Sequence, residues 1–175
     1  MMNDKITSVY AGLDIAKASL QLHLHSKSSD LSNTAEGHNQ LIKRLAACPG
    51  VHIVCDATGG YERAVVAAFH AAAIPVSVLN PARVRQFARA SGELAKTDPI
   101  AAAMLTAFGQ AFAPDPTPPR TATELKLAAL VTRRVQLLEL RVAEAQRADT
   151  CADPDLRKLF TPWLAKCNGS MTSWA

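Results

Sequence analysis

Hydrophobic and polar positions alternate in two ways along this chain, and the switch between them outlines its architecture. Val9–Asp14 (VYAGLD) is a short apolar run that ends on an acid. Leu20–His25 (LQLHLH) alternates strictly, with leucines on one face and Gln21, His23 and His25 on the other. Period-two patterning predicts two antiparallel strands joined by the loop IAKAS, with a third short strand around Leu31–Thr34. Leu41, Ile42 and Leu45 then step at helical spacing until Cys48-Pro49-Gly50 stops them. VHIVCD (51–56) reads as a buried strand, again closing on an acid, and an Ala/Val-rich helix is expected from about Tyr61 to Ala73. VSVL (76–79) is a further buried strand. Asn80-Pro81 opens a helix ending near Ser91-Gly92, and Asp98-Pro99 opens another, with Asp98 as its N-cap. Strands that first meander and then alternate with helices predict an α/β fold, a mixed sheet with flanking helices.

The pattern changes at APDPTPPR (113–120), where four of eight residues are proline. Such a stretch is neither helix nor central strand and is expected to link a domain at 1–112 to the segment beyond it. Thr121 and Glu124 fit a capping box, and Leu127, Val131, Val135, Leu138, Val142 and Ala145 then recur every three or four residues. That predicts a long amphipathic helix to about Asp149, within a helical, coiled-coil-like segment at 121–165. Its apolar stripe either folds back onto the domain or pairs with another helix, so a homo-oligomer through 121–149 is the expected assembly. A shorter helix is expected over Pro154–Leu164. Residues 166–175 show no periodicity and read as an irregular tail, a stop in mid-architecture.

Composition narrows the class. Of 175 residues 49% are hydrophobic but only 5% aromatic, so the core must be built from Ala, Val, Leu and Ile. The net charge of +4 leans toward a polyanionic partner. Cys48, Cys55, Cys151 and Cys167 form no C-x-x-C pair, which suits a reduced, cytoplasmic chain. The first residues do not resemble a signal peptide, and no apolar run approaches the roughly 20 residues of a membrane span.

Three acids stand where chemistry could use them. Asp14 and Asp56 end apolar strands, and Asp98 opens a helix. Ligands gather at the carboxyl ends of strands in α/β sheets. Carboxylates converging there repel one another unless a cation lies between them, and hard oxygen donors suit Mg²⁺ or Mn²⁺. Two such ions can activate a nucleophile and stabilise a leaving oxygen in phosphodiester chemistry. Each acid also has a plainer explanation: a turn residue at a strand end, or a helix cap. Lys17, just after Asp14, is placed to touch a phosphate or simply to meet solvent. Thr58-Gly59-Gly60-Tyr61 either presents backbone N–H groups to a phosphate or only makes the turn. Arg83, Arg85 and Arg89 form a modest basic patch, with 85 and 89 on one helical face. His23 and His25 share a strand face without a third metal ligand, and His52 and His70 read as ordinary polar-face residues.

GLDIAK (12–17), DATGGYER (56–63) and NPARVRQFARASGELAKTD (80–98), in that order and spacing, closely resemble the DEDD transposases of bacterial insertion sequences. That family is related to Piv-type DNA invertases, and the resemblance runs from about Val9 to Phe160. It implies a RuvC-like, RNase H-type N-terminal domain followed by a helical coiled-coil insertion, in a bacterial cytoplasmic enzyme. In the family a C-terminal domain then supplies a serine nucleophile, and the chain ends before that domain would begin. Members move DNA by site-specific recombination with Mg²⁺ or Mn²⁺, some of them guided by a structured RNA. Carried over, the family's first Asp falls on Asp14, its Glu on Asp56, its third acid on Asp98 and its fourth on Ala101, which has no ligand atom. Lys17, Arg83, Arg85, Arg89 and Lys96 are the candidate contacts to nucleic acid. The implied activity is DNA transposition, impaired by Ala101 and the missing domain; the alternative is an inactive remnant that binds nucleic acid or dimerises. A sugar-kinase or actin-like ATPase is set aside, since Ile15–Ala18 lacks the glycines of a phosphate loop.

Overall fold

The computed structural model describes residues 9–92 and 97–172. They form β1 (Val9–Ile15), β2 (Ser19–Leu24), β3 (Lys27–Ser32), α1 (Ala35–Ala46), β4 (Val51–Asp56), α2 (Arg63–Ala71), β5 (Val76–Leu79), α3 (Pro81–Ala90), α4 (Asp98–Phe112), α5 (Ala122–Thr150), α6 (Pro154–Arg157) and α7 (Phe160–Thr172). The sheet runs in the order β3-β2-β1-β4-β5. β1, β2 and β3 pair antiparallel, whereas β4 joins β1 and β5 joins β4 in parallel. This is the expected mixed sheet, an antiparallel meander to which two parallel strands are added.

Strand alternation divides the core between the two faces. Ala11, Leu13 and Ile15 of β1 and Val51, Ile53 and Cys55 of β4 point to one side, where Leu41 and Leu45 of α1 and Val65 and Phe69 of α2 cover them. Val54 and Leu79 point to the other, under Leu105 and Phe108 of α4, with Val84 and Phe87 of α3 packed alongside.

The β2–β3 connection is tighter than the sequence suggests. His25 and Ser26 both take positive φ, 49° and 61°, so β3 begins at Lys27 and His25 lies in the turn rather than on a strand. Positive φ at both central residues suits a two-residue hairpin turn, but the usual Asn-Gly signature is absent.

The proline-rich segment is fastened rather than free. Ala113 takes a left-handed conformation that ends α4. Beyond it Thr117 N–H donates to Val76 O (2.8 Å), and Val78 N–H donates to Thr117 Oγ1 (2.9 Å). Ser77 Oγ donates to Asp115 O at 2.7 Å. The segment therefore covers the outer edge of β5, which would otherwise present unpaired backbone groups.

The chain divides into two compact units between Pro119 and Arg120. In the second, Thr121 and Glu124 form the capping box that starts α5, and no residue of that helix is buried. Two expectations fail here. The single helix over Pro154–Leu164 is instead broken into α6 and α7. The tail beyond 165, expected to be irregular, is helical through Thr172. α7 runs against α5; packing on a neighbour stabilises a helix that lacks a periodic pattern of its own.

Candidate functional site

The face of the sheet under α4 carries the acids. Leu13 of β1 is in register with Cys55 of β4. One residue further on, Asp14 and Asp56 therefore project from adjacent strands to the same side. Asp14 and Asp56 are both half-buried.

α4 lies on β1 and runs opposite to it, at a distance that only glycine permits. A Cβ on Gly109 would come within 2.7 Å of the Tyr10 ring, and one on Gly12 within 1.9 Å of Ala102 O. Gly12 N–H donates to Thr106 Oγ1 at 2.8 Å, and the same hydroxyl meets His23 Nδ1 at 2.9 Å. Helix and strand are thus joined by a buried hydroxyl as well as by packing. One helical turn before Ala102 is Asp98, and two strand residues after Gly12 is Asp14; a turn rises about 5.4 Å and two strand residues span about 6.6 Å. The antiparallel course hence carries Asp98 to the level of Asp14.

The electrostatics agree with that geometry. Burial pushes the Asp14 carboxyl above the usual carboxylate range, and the charges of Asp56 and Asp98 push it further, against a hydrogen bond from the Ile15 backbone. Burial raises Asp56 as well; its own backbone N–H and Arg85 oppose this, and Glu62 adds to it. Among the described residues nothing donates to Asp56 Oδ1, although that oxygen is buried. The three carboxylates share a field, yet among the described residues no three acidic, His or Cys side chains converge on one point. Hard oxygen donors, mutual repulsion and an orphaned oxygen fit a divalent cation such as Mg²⁺ or Mn²⁺.

Asp98 is not the cap of α4. Thr97 takes the extended cap conformation, and Ala101 N–H bonds Thr97 O at 2.9 Å, so Asp98 is the first helical residue. It is exposed and sits at the positive end of the helix dipole. Ala101, three residues on, is half-buried and offers no oxygen.

The remaining candidates separate. Lys17 is exposed in the β1–β2 loop. Arg83, Arg85 and Arg89 are exposed on α3, and the first two have different neighbours. Arg83 lies over the Phe108 ring, 5.6 Å from its centre, whereas Arg85 acts on Asp56. Lys96 lies outside the described residues. The Thr58–Tyr61 loop turns its N–H groups inward: Thr58 N–H (3.1 Å), Thr58 Oγ1 (2.9 Å) and Gly60 N–H (2.9 Å) all donate to Glu62 Oε2. Burial alone would raise Glu62, but these bonds hold it below the usual range. Its carboxylate occupies the N–H groups considered for a phosphate. Among the histidines, His23 is taken up by Thr106, and His52 Nε2 bonds Ser77 Oγ at 2.8 Å.

Thr106, Gly109 and Glu62 carry this architecture without standing out in the sequence. Gly12 had a signal, since a glycine inside a strand often marks close backbone approach. Thr106 had none, because its partners lie 83 and 94 residues away.

Residues 11–153 match the family of DEDD transposases of the IS110 type. The chain belongs to that family. Pilin gene-inverting proteins of Moraxella lacunata and Moraxella bovis are each 27% identical to it over 137 residues, 74% of this chain and 42% of theirs. The chain thus spans less than half the length of these curated relatives. T. thermophilus RuvC, solved in complex with a Holliday junction substrate, superposes with a TM-score of 0.47 at 14% identity, covering 62% of this chain and 99% of that one. In this transposase-family chain the matched span takes in Asp14, Asp56, Asp98 and Ala101. Among the described residues no helix is long and apolar enough to cross a membrane.

Proposed function

We propose that this transposase-family chain is the RuvC-like part of a DNA recombinase, in which Asp14 and Asp56 hold Mg²⁺ or Mn²⁺ against a DNA phosphodiester and Asp98 closes on the ion as it binds. The observation that carries the reading is the buried Asp56 Oδ1, without a donor among the described residues, beside an Asp14 whose charge two neighbouring acids disfavour. Repelling carboxylates with a spare oxygen are a cost to the empty fold that a cation relieves. When bound, the metal supplies Lewis-acid polarisation of the phosphate and activation of the attacking oxygen.

The chain's own residues orient this arrangement. β1 and β4 fix the spacing of Asp14 and Asp56, and the Gly12–α4 contact sets the level of Asp98. Exposed Lys17, Arg85 and Arg89 bear the positive charge that attracts the phosphate backbone of DNA, or of a guide RNA. The apolar residues left exposed on α5, Leu127, Val131 and Val135 among them, pair with a second copy of the chain. Ala101 contributes no ligand, which weakens the site relative to a four-acid set. It also favours the second reading, an inactive remnant that binds nucleic acid or dimerises.

Titration of the purified chain with Mn²⁺ separates the two. Binding that disappears in Asp14→Ala supports the metal site, and Ala101→Asp then tightens it. No binding at millimolar Mn²⁺ leaves the remnant.

A further inference from the structure

The loops that follow Asp14 and Asp56 meet at one side chain. Asn33, between β3 and α1, is half-buried. Its Nδ2 donates to Ala16 O at 2.9 Å and to Tyr61 O at 3.3 Å. Ala16 lies two residues after Asp14, and Tyr61 lies in the loop that leaves Asp56. Asn33 N–H donates in addition to Ala18 O at 2.9 Å, so Lys17 is bracketed by carbonyls tied to the same residue.

The orientation of the amide follows from its partners. Two carbonyl oxygens can only accept, so the nitrogen must face them and Oδ1 must face His38. His38 Nε2, 2.7 Å away, is then the donor. Burial holds the His38 pKa below its ordinary value, in keeping with a neutral ring that carries its proton on Nε2. The far side of the junction is stiff too, since Glu62, next to Tyr61, gathers Thr58 and Gly60 onto one oxygen. Only asparagine places two donors and one acceptor in this plane at this reach: aspartate would turn an oxygen toward the two carbonyls, and alanine would leave both unbound.

We propose that Asn33 is a positioning residue, a clasp between the loops after Asp14 and Asp56 that holds the two carboxylates at the separation a divalent cation requires. The inference rests on the proposed metal site, so its test carries a control for that site. Mn²⁺ binding to the full chain, followed by the electron paramagnetic resonance of free Mn²⁺, is compared in wild type, Asn33→Ala, Thr34→Ala and Asp14→Ala. Thr34 caps α1 through Gly37 N–H at the same corner, and among the described residues its hydrogen bonds go to Ser32, Gly37 and His38 rather than to either loop. Asn33→Ala is expected to weaken binding about tenfold, as loss of a residue that orients a metal ligand does. Thr34→Ala lowers the melting temperature and leaves the affinity within about twofold. Wild-type affinity in Asn33→Ala, or an equal loss in Thr34→Ala, overturns the clasp.

Hydrogen exchange supplies a second readout. Asn33→Ala should speed amide exchange in both 16–18 and 58–62, and unchanged exchange in either loop also overturns it. If wild type binds no Mn²⁺, or Asp14→Ala still binds it, the metal reading fails and exchange alone decides whether Asn33 joins the loops.

Discussion

The two faces of the sheet are built on different terms. Under α1 and α2 the packing is apolar apart from His38 at its margin, and Phe69, Leu13, Leu41 and Ile53 fill the space between sheet and helices by bulk. Under α4 bulk is excluded at Gly12 and Gly109, a hydroxyl replaces a methyl at Thr106, and the strands end in carboxylates. The first face contributes stability from buried area. The second gives part of that up to hold backbones close and charges together, as a functional site commonly does. Substitutions that are equivalent in size should therefore act differently on the two sides.

The largest loss belongs to the bulky face. Phe69→Ala removes a fully buried ring and should cost about 4 kcal/mol in denaturant unfolding. Gly12→Ala adds a single methyl and should still cost roughly 3 kcal/mol, because the obstacle is the backbone carbonyl of Ala102 rather than a side chain that can rotate away. A cost under about 1 kcal/mol there would erase the contrast between the faces. Thr106→Val keeps the shape and strips the hydroxyl, leaving the Gly12 N–H without its partner. A loss of about 2 kcal/mol is expected, whereas a neutral result would assign the helix contact to packing alone.

The smallest effect has the opposite sign. Asp14 has its pKa raised in the folded chain, first by burial and then by Asp56 and Asp98. Between the ordinary and the raised value the folded state therefore holds a proton that the unfolded state has released. The associated stability is present below the ordinary value of 3.8 and is lost as pH rises through the raised folded value. In metal-free buffer at pH 7, Asp14→Asn should raise the melting temperature by about 2–4 °C, after allowance for solvent screening. The gain should shrink as the pH is lowered toward 4, and with saturating Mn²⁺ the order should reverse in favour of wild type. A variant that melts below wild type in metal-free buffer would mean that the carboxylate is already compensated.

Periodicity and local chemistry explain why so much of the fold was legible. Leucines at 20, 22 and 24 alternate because one face of β2 is covered, and prolines at 81 and 99 fall at the starts of helices. The acids were legible because Asp14 and Asp56 close apolar runs. What failed was short-range: a hairpin made by His25 and Ser26 without the usual turn residues, a cap placed one residue late, and a tail whose helix rests on a neighbour.

By itself, then, the sequence determined the strand and helix order, the division of apolar positions between faces and the family, and it singled out three candidate carboxylates, because each is written in spacing along the chain. Only the tertiary structure decided that α4 runs back over β1 on two glycines and brings Asp98 level with Asp14. It likewise turned the Thr58–Gly60 amides onto Glu62, laid the proline segment along β5 and drew two loops together at Asn33. These depend on residues far apart in the chain approaching within a few ångströms, and such distances leave no period to read.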